Sequence, residues 1–306
     1  MKWPDELIFM KNGRAKQFET DASMTGKLSI ITGATSGVGL SAAKVLAQAG
    51  SNLILVCRNQ EKARPIQKDL EETYGIKVDI VVGDFSKLND VRKAAEEIIA
   101  NYGHIDVLIN SVGIHSTKKL FNEDGYELCF TVNHLSTFLF TKLLLPKLSA
   151  SSKPSRIIQV NSEGHRFSGV KLKDIHFKRR IYTGLKGYGQ SKTAQLLTVL
   201  VMNKQLKESQ VTINSCHPGA VKTAIGSNNG FLYRIFFKLV TSRFLKNPII
   251  SGKALYYLVA DPKLEGVSGR FFNLTIDELP AKHAVDPILA EKVYALSMEM
   301  VGLKDE

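Results

Sequence analysis

The sequence predicts an α/β protein, one domain built on a doubly wound parallel sheet with helices on both faces. Three observations predict it. Short apolar runs rich in Val, Ile and Leu alternate with longer segments of helical period. Those runs are continuous, as strands covered on both faces require. The chain has 306 residues, 44% hydrophobic and 23% charged, a folded-domain composition with no repeat and no low-complexity tract. A chain of that length buries about three quarters of its unfolded surface.

The elements follow in order. Residues 1–25 form a polar lead-in anchored by Trp3, Leu7, Ile8, Phe9 and Phe18, a flap or short helix packed on the main domain, 26–306. Residues 28–32 are the first strand, and glycines follow at once. Residues 41–48 continue as a helix, with Leu40, Ala43 and Leu46 along one side and Gly50 as its stop. The rhythm repeats as strand 53–57, helix 64–74, strand 78–82 ending at Gly83 and Asp84, helix 91–100, and strand 107–109 ending at Asn110. Residues 125–148 read as one long helix, divided or ended near Pro146. Strand 156–160, helix 189–206, strand 211–215, a late strand 269–274 and a closing helix 286–300 complete the chain. The least regular stretches, 163–187 and 222–250, follow strand ends, where open α/β sheets hold their ligands.

Charge and cysteine content exclude several classes. The 41 Lys and Arg against 29 Asp and Glu give +12, which favours anionic partners and leaves a phosphorylated cofactor, acidic lipid and nucleic acid open. No zinc-finger spacing and no aromatic-basic module supports nucleic acid, so no such partner is expected. The densest basic cluster, Lys171, Lys173, Lys178, Arg179 and Arg180, reads as a solvated loop. Cys57, Cys129 and Cys216 leave one thiol unpaired if two bridge, and no pair has metal-ligand spacing, so a reducing compartment and no metal are expected. Residues 1–10 carry charge and a proline before a short apolar run, which predicts no signal-peptide core. No stretch is expected to reach the roughly 20 apolar residues that span a bilayer. A cytoplasmic location follows as the expectation.

Segment 32–39 reads Thr-Gly-Ala-Thr-Ser-Gly-Val-Gly between a strand and a helix. Gly33 allows a tight turn, Gly37 lets backbone approach a phosphate, and Gly39 lets helix pack on strand. Thr35, Ser36 and Val38 complete a loop whose amides can hold a pyrophosphate. The alternative is a purely structural turn. Arg58 ends the second strand, where NAD proteins commonly place an acidic residue for the ribose hydroxyls. A cation there suits a 2'-phosphate and favours NADP(H), unless Arg58 merely solvates the strand end. Asp84 suits an adenine amine or caps the next helix, and Asn110 and Gly113 can set backbone beside a ribose.

Ser162 lies just past the 156–160 strand, and Tyr188 and Lys192 are four apart on one helical face. Two hydroxyls can hold a carbonyl oxygen, and a nearby lysine cation would favour the phenolate of Tyr188. The alternative is a surface tyrosine with a lysine one turn on.

Joined, these pieces resemble the short-chain dehydrogenase/reductase superfamily from about Gly26 to about Leu303, most of all its branch of retinol dehydrogenases and related lipophilic carbonyl reductases. The resemblance implies a Rossmann-like fold. Asp84 matches the family's adenine-side aspartate, and Asn110-Ser111-Val112-Gly113 stands where the family has Asn-Asn-Ala-Gly. It implies a catalytic tetrad of Asn133, Ser162, Tyr188 and Lys192. In the family the asparagine bends its helix and holds a relay water, the serine orients the substrate oxygen, the tyrosine is acid or base, and the lysine binds the nicotinamide ribose. Asn161 precedes Ser162 where the family often has a second serine. His217-Pro218-Gly219-Ala220-Val221-Lys222-Thr223 is similar to the family's loop after the sixth strand. Pro218, Gly219, Val221 and Thr223 are expected near the nicotinamide carboxamide or pyrophosphate, with His217 shaping the site rather than acting as base.

Residues 230–240 are apolar and aromatic with two cations and read as a substrate lid within 222–250. Membrane contact, or packing against Ile249 and Leu255, is the alternative. The expected function is NADP(H)-dependent hydride transfer between nicotinamide and the carbonyl or alcohol carbon of a small hydrophobic substrate. A catalytically silent nucleotide sensor or scaffold on the same fold is the alternative. Peripheral membrane contact and a homodimer or homotetramer stay open.

Overall fold

Strands β1 (Leu28–Thr32), β2 (Asn52–Cys57), β3 (Val78–Val82), β4 (Val107–Asn110), β5 (Ser155–Val160), β6 (Val211–His217), β7 (Phe271–Asn273) and β8 (Ile276–Asp277) form one sheet. The computed structural model describes residues 11–150, 153–220 and 247–304 and orders the strands β3-β2-β1-β4-β5-β6-β7-β8. Every pairing is parallel except β7–β8. The order reverses between β1 and β4, and the ligand crevice of such a sheet opens there, beyond the strand carboxyl ends.

Helices α1 (Gly37–Gln48), α2 (Gln60–Tyr74), α3 (Leu88–Asn101), α4 (Leu128–Leu148), α5 (Gly184–Gln205), α6 (Ile249–Ala260) and α7 (Pro287–Met300) cover both faces. Neighbouring strand residues point to opposite faces, so consecutive apolar residues serve two cores. Ile30, Ile54, Leu108 and Ile157 enter one core with α3, α4, α5 and α7. Ile31, Leu55, Ile109 and Ile158 enter the other with α1 and α6. This two-sided burial is why the strands read as unbroken apolar runs.

Several expectations need correction. Helix α4 does not begin at Gly125, which turns at φ 76°. The buried Glu127 carboxylate caps it, accepting from the amides of Cys129 (3.0 Å) and Phe130 (2.8 Å). The helix then widens into a π-turn at Thr131–Leu135 before resuming at Ser136–Leu148, with Pro146 inside its last turn. By length and composition Leu128–Leu148 could cross a membrane, contrary to the expectation that no stretch would; 78% of its apolar window is buried inside the fold, so that apolarity serves the core.

At the end of the 222–250 stretch, read as one of the least regular, α6 starts at Ile249 and packs against α1 so closely that a Cβ on Gly252 would lie 2.5 Å from the Ser41 carbonyl oxygen. Within 163–187, 3-10 turns form at Glu163–Phe167 and Leu172–Asp174, and α5 starts at Gly184, capped by Thr183. Arg180, read as a solvated cation, stacks on the Phe177 ring (4.1 Å) and donates to the Asp174 carbonyl (2.6 Å). In the lead-in, Phe18 stacks on Tyr257 (5.7 Å) and the Tyr256 hydroxyl donates to the Ala22 carbonyl (2.5 Å). Trp3, Leu7, Ile8 and Phe9 lie outside the described residues, and Cys57, Cys129 and Cys216 are free and buried.

Candidate active site

A cleft of about 750 Å³ opens across the carboxyl ends of the central strands. Its floor is the glycine turn after β1. Buried Thr32 accepts from the amides of Ser111 (3.0 Å) and Val112 (3.1 Å), tying this turn to the end of β4. Gly33 adopts φ 68°, and a Cβ there would lie 3.1 Å from the Val112 Cα. A Cβ on Gly39 would lie 2.5 Å from the Gly33 carbonyl oxygen, so only glycine lets α1 sit this close to β1. Ser36 precedes α1 in extended conformation without a side-chain capping bond, and the first turn of α1 carries no acidic residue. The amides there face the cleft with Thr35, Ser36, Gly37 and Val38 along its wall. This is a cradle for a phosphate.

At the far end, Arg58 is exposed on the cleft rim, and Asp84 lines the same wall. The Asp84 carboxylate accepts from the Ser86 amide (2.9 Å), so it shapes the turn before α3 rather than capping that helix. Lys87 adds a second cation to this rim; it was passed over because it reads as an ordinary helix-start lysine. Asn110 does not reach the cleft. Its side chain turns into the core and donates to the Thr141 hydroxyl (2.8 Å). Gly113 does line it, and a Cβ there would lie 3.5 Å from Asn133 Oδ1 and 3.9 Å from Lys192 Nζ.

The chemistry-bearing side chains converge beside Gly113. Asn133 sits in the π-turn of α4, where its carboxamide accepts from the Ile114 amide (2.7 Å) and donates to the Ile114 carbonyl (3.0 Å) and to Ser191 Oγ (2.9 Å). Tyr182, from the 163–187 insertion, braces this helix by placing its hydroxyl 3.2 Å from the Glu127 carboxylate. Ser162 Oγ accepts from the Gly164 amide (3.1 Å) and lies near enough to Tyr188 to act on its phenol. Lys192 Nζ lies 5.8 Å from the Tyr188 ring centroid and donates to the Val160 carbonyl (2.9 Å) and to Gln195 Oε1 (3.0 Å).

Burial decides the ionisation of this group. It pushes the Tyr188 phenol up to about 12, against the lowering effect of Ser162. It pulls Lys192 down to about 7, with Cys129 acting the other way. Desolvation, not the expected pull of the Lys192 cation, is the largest influence on the Tyr188 phenol and holds it protonated. His217 is driven down to about 3 by burial and by His165 and Arg166, so it is neutral.

Pro218 and Gly219 line the cleft, whereas Val221, Thr223 and the apolar stretch 230–240 lie outside the described residues. His115 packs edge-on against Tyr188 (5.5 Å between rings) and also lines the cleft. Sequence reasoning missed it, although its place two residues after Gly113 is a usable signal.

Comparisons with known proteins show the family and the fold. A family model described as short chain dehydrogenase matches residues 27–230. Retinol dehydrogenase 13 of Homo sapiens is 36% identical over 293 residues, covering 92% of this chain and 87% of the relative. A solved structure from Mycobacterium paratuberculosis, described as uncharacterized, superposes with a TM-score of 0.75 at 24% identity, covering 94% of this chain and 99% of that one. A short chain dehydrogenase from Shigella flexneri, solved in complex with NADP, superposes with a TM-score of 0.67 at 22% identity, covering 83% and 99%.

Proposed function

The chain belongs to the short-chain dehydrogenase/reductase family, in its retinol dehydrogenase branch, and from that premise we propose an NADP(H)-dependent oxidoreductase acting on hydrophobic alcohols and carbonyls. The observation that carries this reading is the meeting of Ser162, Tyr188 and Lys192 at one cleft wall, opposite an uncapped helix N-terminus.

A nicotinamide dinucleotide fits the cleft on the evidence of the tight Gly33–Gly39 turn, which a Cβ at Gly33 or Gly39 would press against backbone and force apart. The amides of the α1 turn would hold its pyrophosphate, and Gly113, Pro218 and Gly219 its nicotinamide half. When bound, it supplies or accepts the hydride. Arg58 and Lys87, two cations on one rim with no carboxylate paired to either among the described residues, support a 2'-phosphate and hence NADP(H).

The chain's own residues manage the proton. In reduction, Ser162 Oγ and Tyr188 Oη donate hydrogen bonds to the substrate oxygen, and Tyr188 passes its proton to that oxygen as charge develops there. A phenol held protonated well above neutrality is ready to donate. Lys192 lines the cleft with two of its N–H donors engaged by Val160 and Gln195, and its remaining donor stabilises the phenolate left after transfer. Asn133 holds the Ile114 backbone and Ser191 in place. Oxidation reverses the roles. The stretch 222–250 is proposed as the apolar lid on its composition, in a cytoplasmic protein open to peripheral membrane contact.

The test is a panel of alcohols, aldehydes and ketones graded by apolar length, assayed with NADPH and NADH by nicotinamide absorbance. Turnover that prefers the phosphorylated cofactor and rises with apolar length is expected. Saturable NADPH binding without turnover on any substrate would favour the sensor reading instead.

A further inference from the structure

Gln195 lies one turn beyond Lys192 on α5, buried and outside the cleft lining. Its carboxamide is engaged at both ends. Oε1 accepts from Lys192 Nζ (3.0 Å) and from Asn161 Nδ2 (3.1 Å). Nε2 donates to the Asn133 backbone carbonyl (2.5 Å) and reaches Thr137 Oγ1 (3.4 Å). The orientation is forced. A reversed amide would set its NH2 against two donors and its oxygen against a carbonyl.

Asn161 is itself locked. It donates to the Lys192 backbone carbonyl (2.9 Å) and accepts from the Ser162 amide (2.8 Å). Asn161 therefore ties the backbone of Ser162 to the side chain that holds Lys192. Its two-ended carboxamide does this; a serine hydroxyl at the same position is too short to span the same partners.

The geometry points to Gln195 as a positioning residue: it holds Lys192 Nζ in place and connects it, through side-chain and backbone atoms alone, to the Asn133 carbonyl, with Asn161 as the lock. The inference rests on the role proposed above for Lys192. Lys192 has three N–H donors. Val160 and Gln195 engage two, so the third is directed by their placement. Removing Gln195 Oε1 takes an acceptor from a buried amine and leaves the Asn133 carbonyl with one donor fewer.

The titratable groups facing Lys192 are Tyr188 on its own helix and Cys129 and His134 on α4. Strand β5 presents the Val160 carbonyl, and Asn161 just beyond it reaches Gln195 and the Lys192 backbone. Burial holds His134 neutral, down at about 3, and Cys129 protonated, up at about 12. His115, packed against Tyr188, is also lowered from its ordinary value by burial, so the limb assigned to the Tyr188–Lys192 pair is the one that moves when Gln195 is changed.

The experiment measures single-turnover hydride transfer against pH, with NADPH titration and melting curves, for wild type, Gln195→Leu, Gln195→Glu and Lys192→Ala. Gln195→Leu should slow transfer about 10-fold or more and move the limb to lower pH, because the ammonium loses an acceptor. Gln195→Glu keeps that acceptor and adds negative charge, so the limb should move to higher pH. Substrate KM should hold, since Gln195 does not reach the cleft. A uniform loss without movement of the limb, or wild-type profiles in both folded variants, would overturn the relay. If Lys192→Ala keeps both rate and NADPH affinity, the Lys192 role itself fails. If Lys192→Ala loses both while the Gln195 variants are silent, only the relay fails.

Discussion

Gly164 offers a way to move Tyr188 without touching its chemistry. It lies in the 3-10 turn after Ser162, and a Cβ there would sit 2.8 Å from Tyr188 Cε1, 2.9 Å from Cδ1 and 3.4 Å from Ser162 Oγ. Carbon contacts ordinarily settle at about 3.5–4.0 Å, so in Gly164→Ala the ring must retreat by roughly 0.7 Å or the turn must yield. His115 also packs edge-on against this ring and constrains its movement. A misplacement near 1 Å can cost about 100-fold. Gly164→Ala should therefore slow single-turnover hydride transfer by about 10- to 100-fold. Overpacking should lower stability by about 1–3 kcal/mol, and NADPH affinity should stay near wild type, since the glycine cradle is remote from Gly164. The assay is stopped-flow nicotinamide absorbance beside a cofactor titration. A folded Gly164→Ala enzyme within about 2-fold of the wild-type rate would refute the placement of Tyr188 as the proton-transfer group.

Arg58→Ala should weaken NADPH by about 10- to 100-fold, the worth of a charge-assisted contact, while NADH changes little; equal losses in parallel titrations would remove Arg58 from phosphate binding. Buried His134 and His165 are held down at about 3 and about 4 from an ordinary 6.5, chiefly by desolvation. The unfolded chain takes up these protons as pH falls through 6.5 and the folded chain does not until far lower, so their contribution is complete above 6.5 and lost on acidification, by about 1.4 kcal/mol per pH unit for each histidine. Denaturant midpoints should fall steadily from pH 6.5 toward 5, and a flat profile would contradict neutral burial.

The strands were legible because burial on both faces leaves paired apolar residues at their centres, as at Ile30-Ile31 and Ile157-Ile158. The glycine turn was legible because Gly33 and Gly39 are held by backbone that no side chain can approach. Helix α6 was not. Its residues are apolar on nearly every side and Gly252 interrupts it, so no amphipathic period marks it. The π-turn carries no mark of local propensity; only the resemblance, in which the asparagine bends its helix, pointed to an irregularity at Asn133, where the Ile114 and Gln195 bonds meet it. Tyr188 and Lys192 could be paired from spacing, but their ionisation could not. It depends on how deeply Tyr188 and Lys192 are buried. Gln195 carried no signal at all, because its partners come from three separate segments.

The central claim is that this cleft moves a proton through Tyr188 as a hydride is transferred. Tyr188→Phe keeps the ring that packs against His115 and removes only the hydroxyl. Single-turnover transfer to a carbonyl that the wild type reduces, measured at several pH values beside a direct NADPH titration, tests it most directly. The account predicts unchanged cofactor binding and a rate lower by about 100- to 10,000-fold. A Tyr188→Phe enzyme that binds NADPH and transfers hydride at nearly the wild-type rate across that pH range would contradict it.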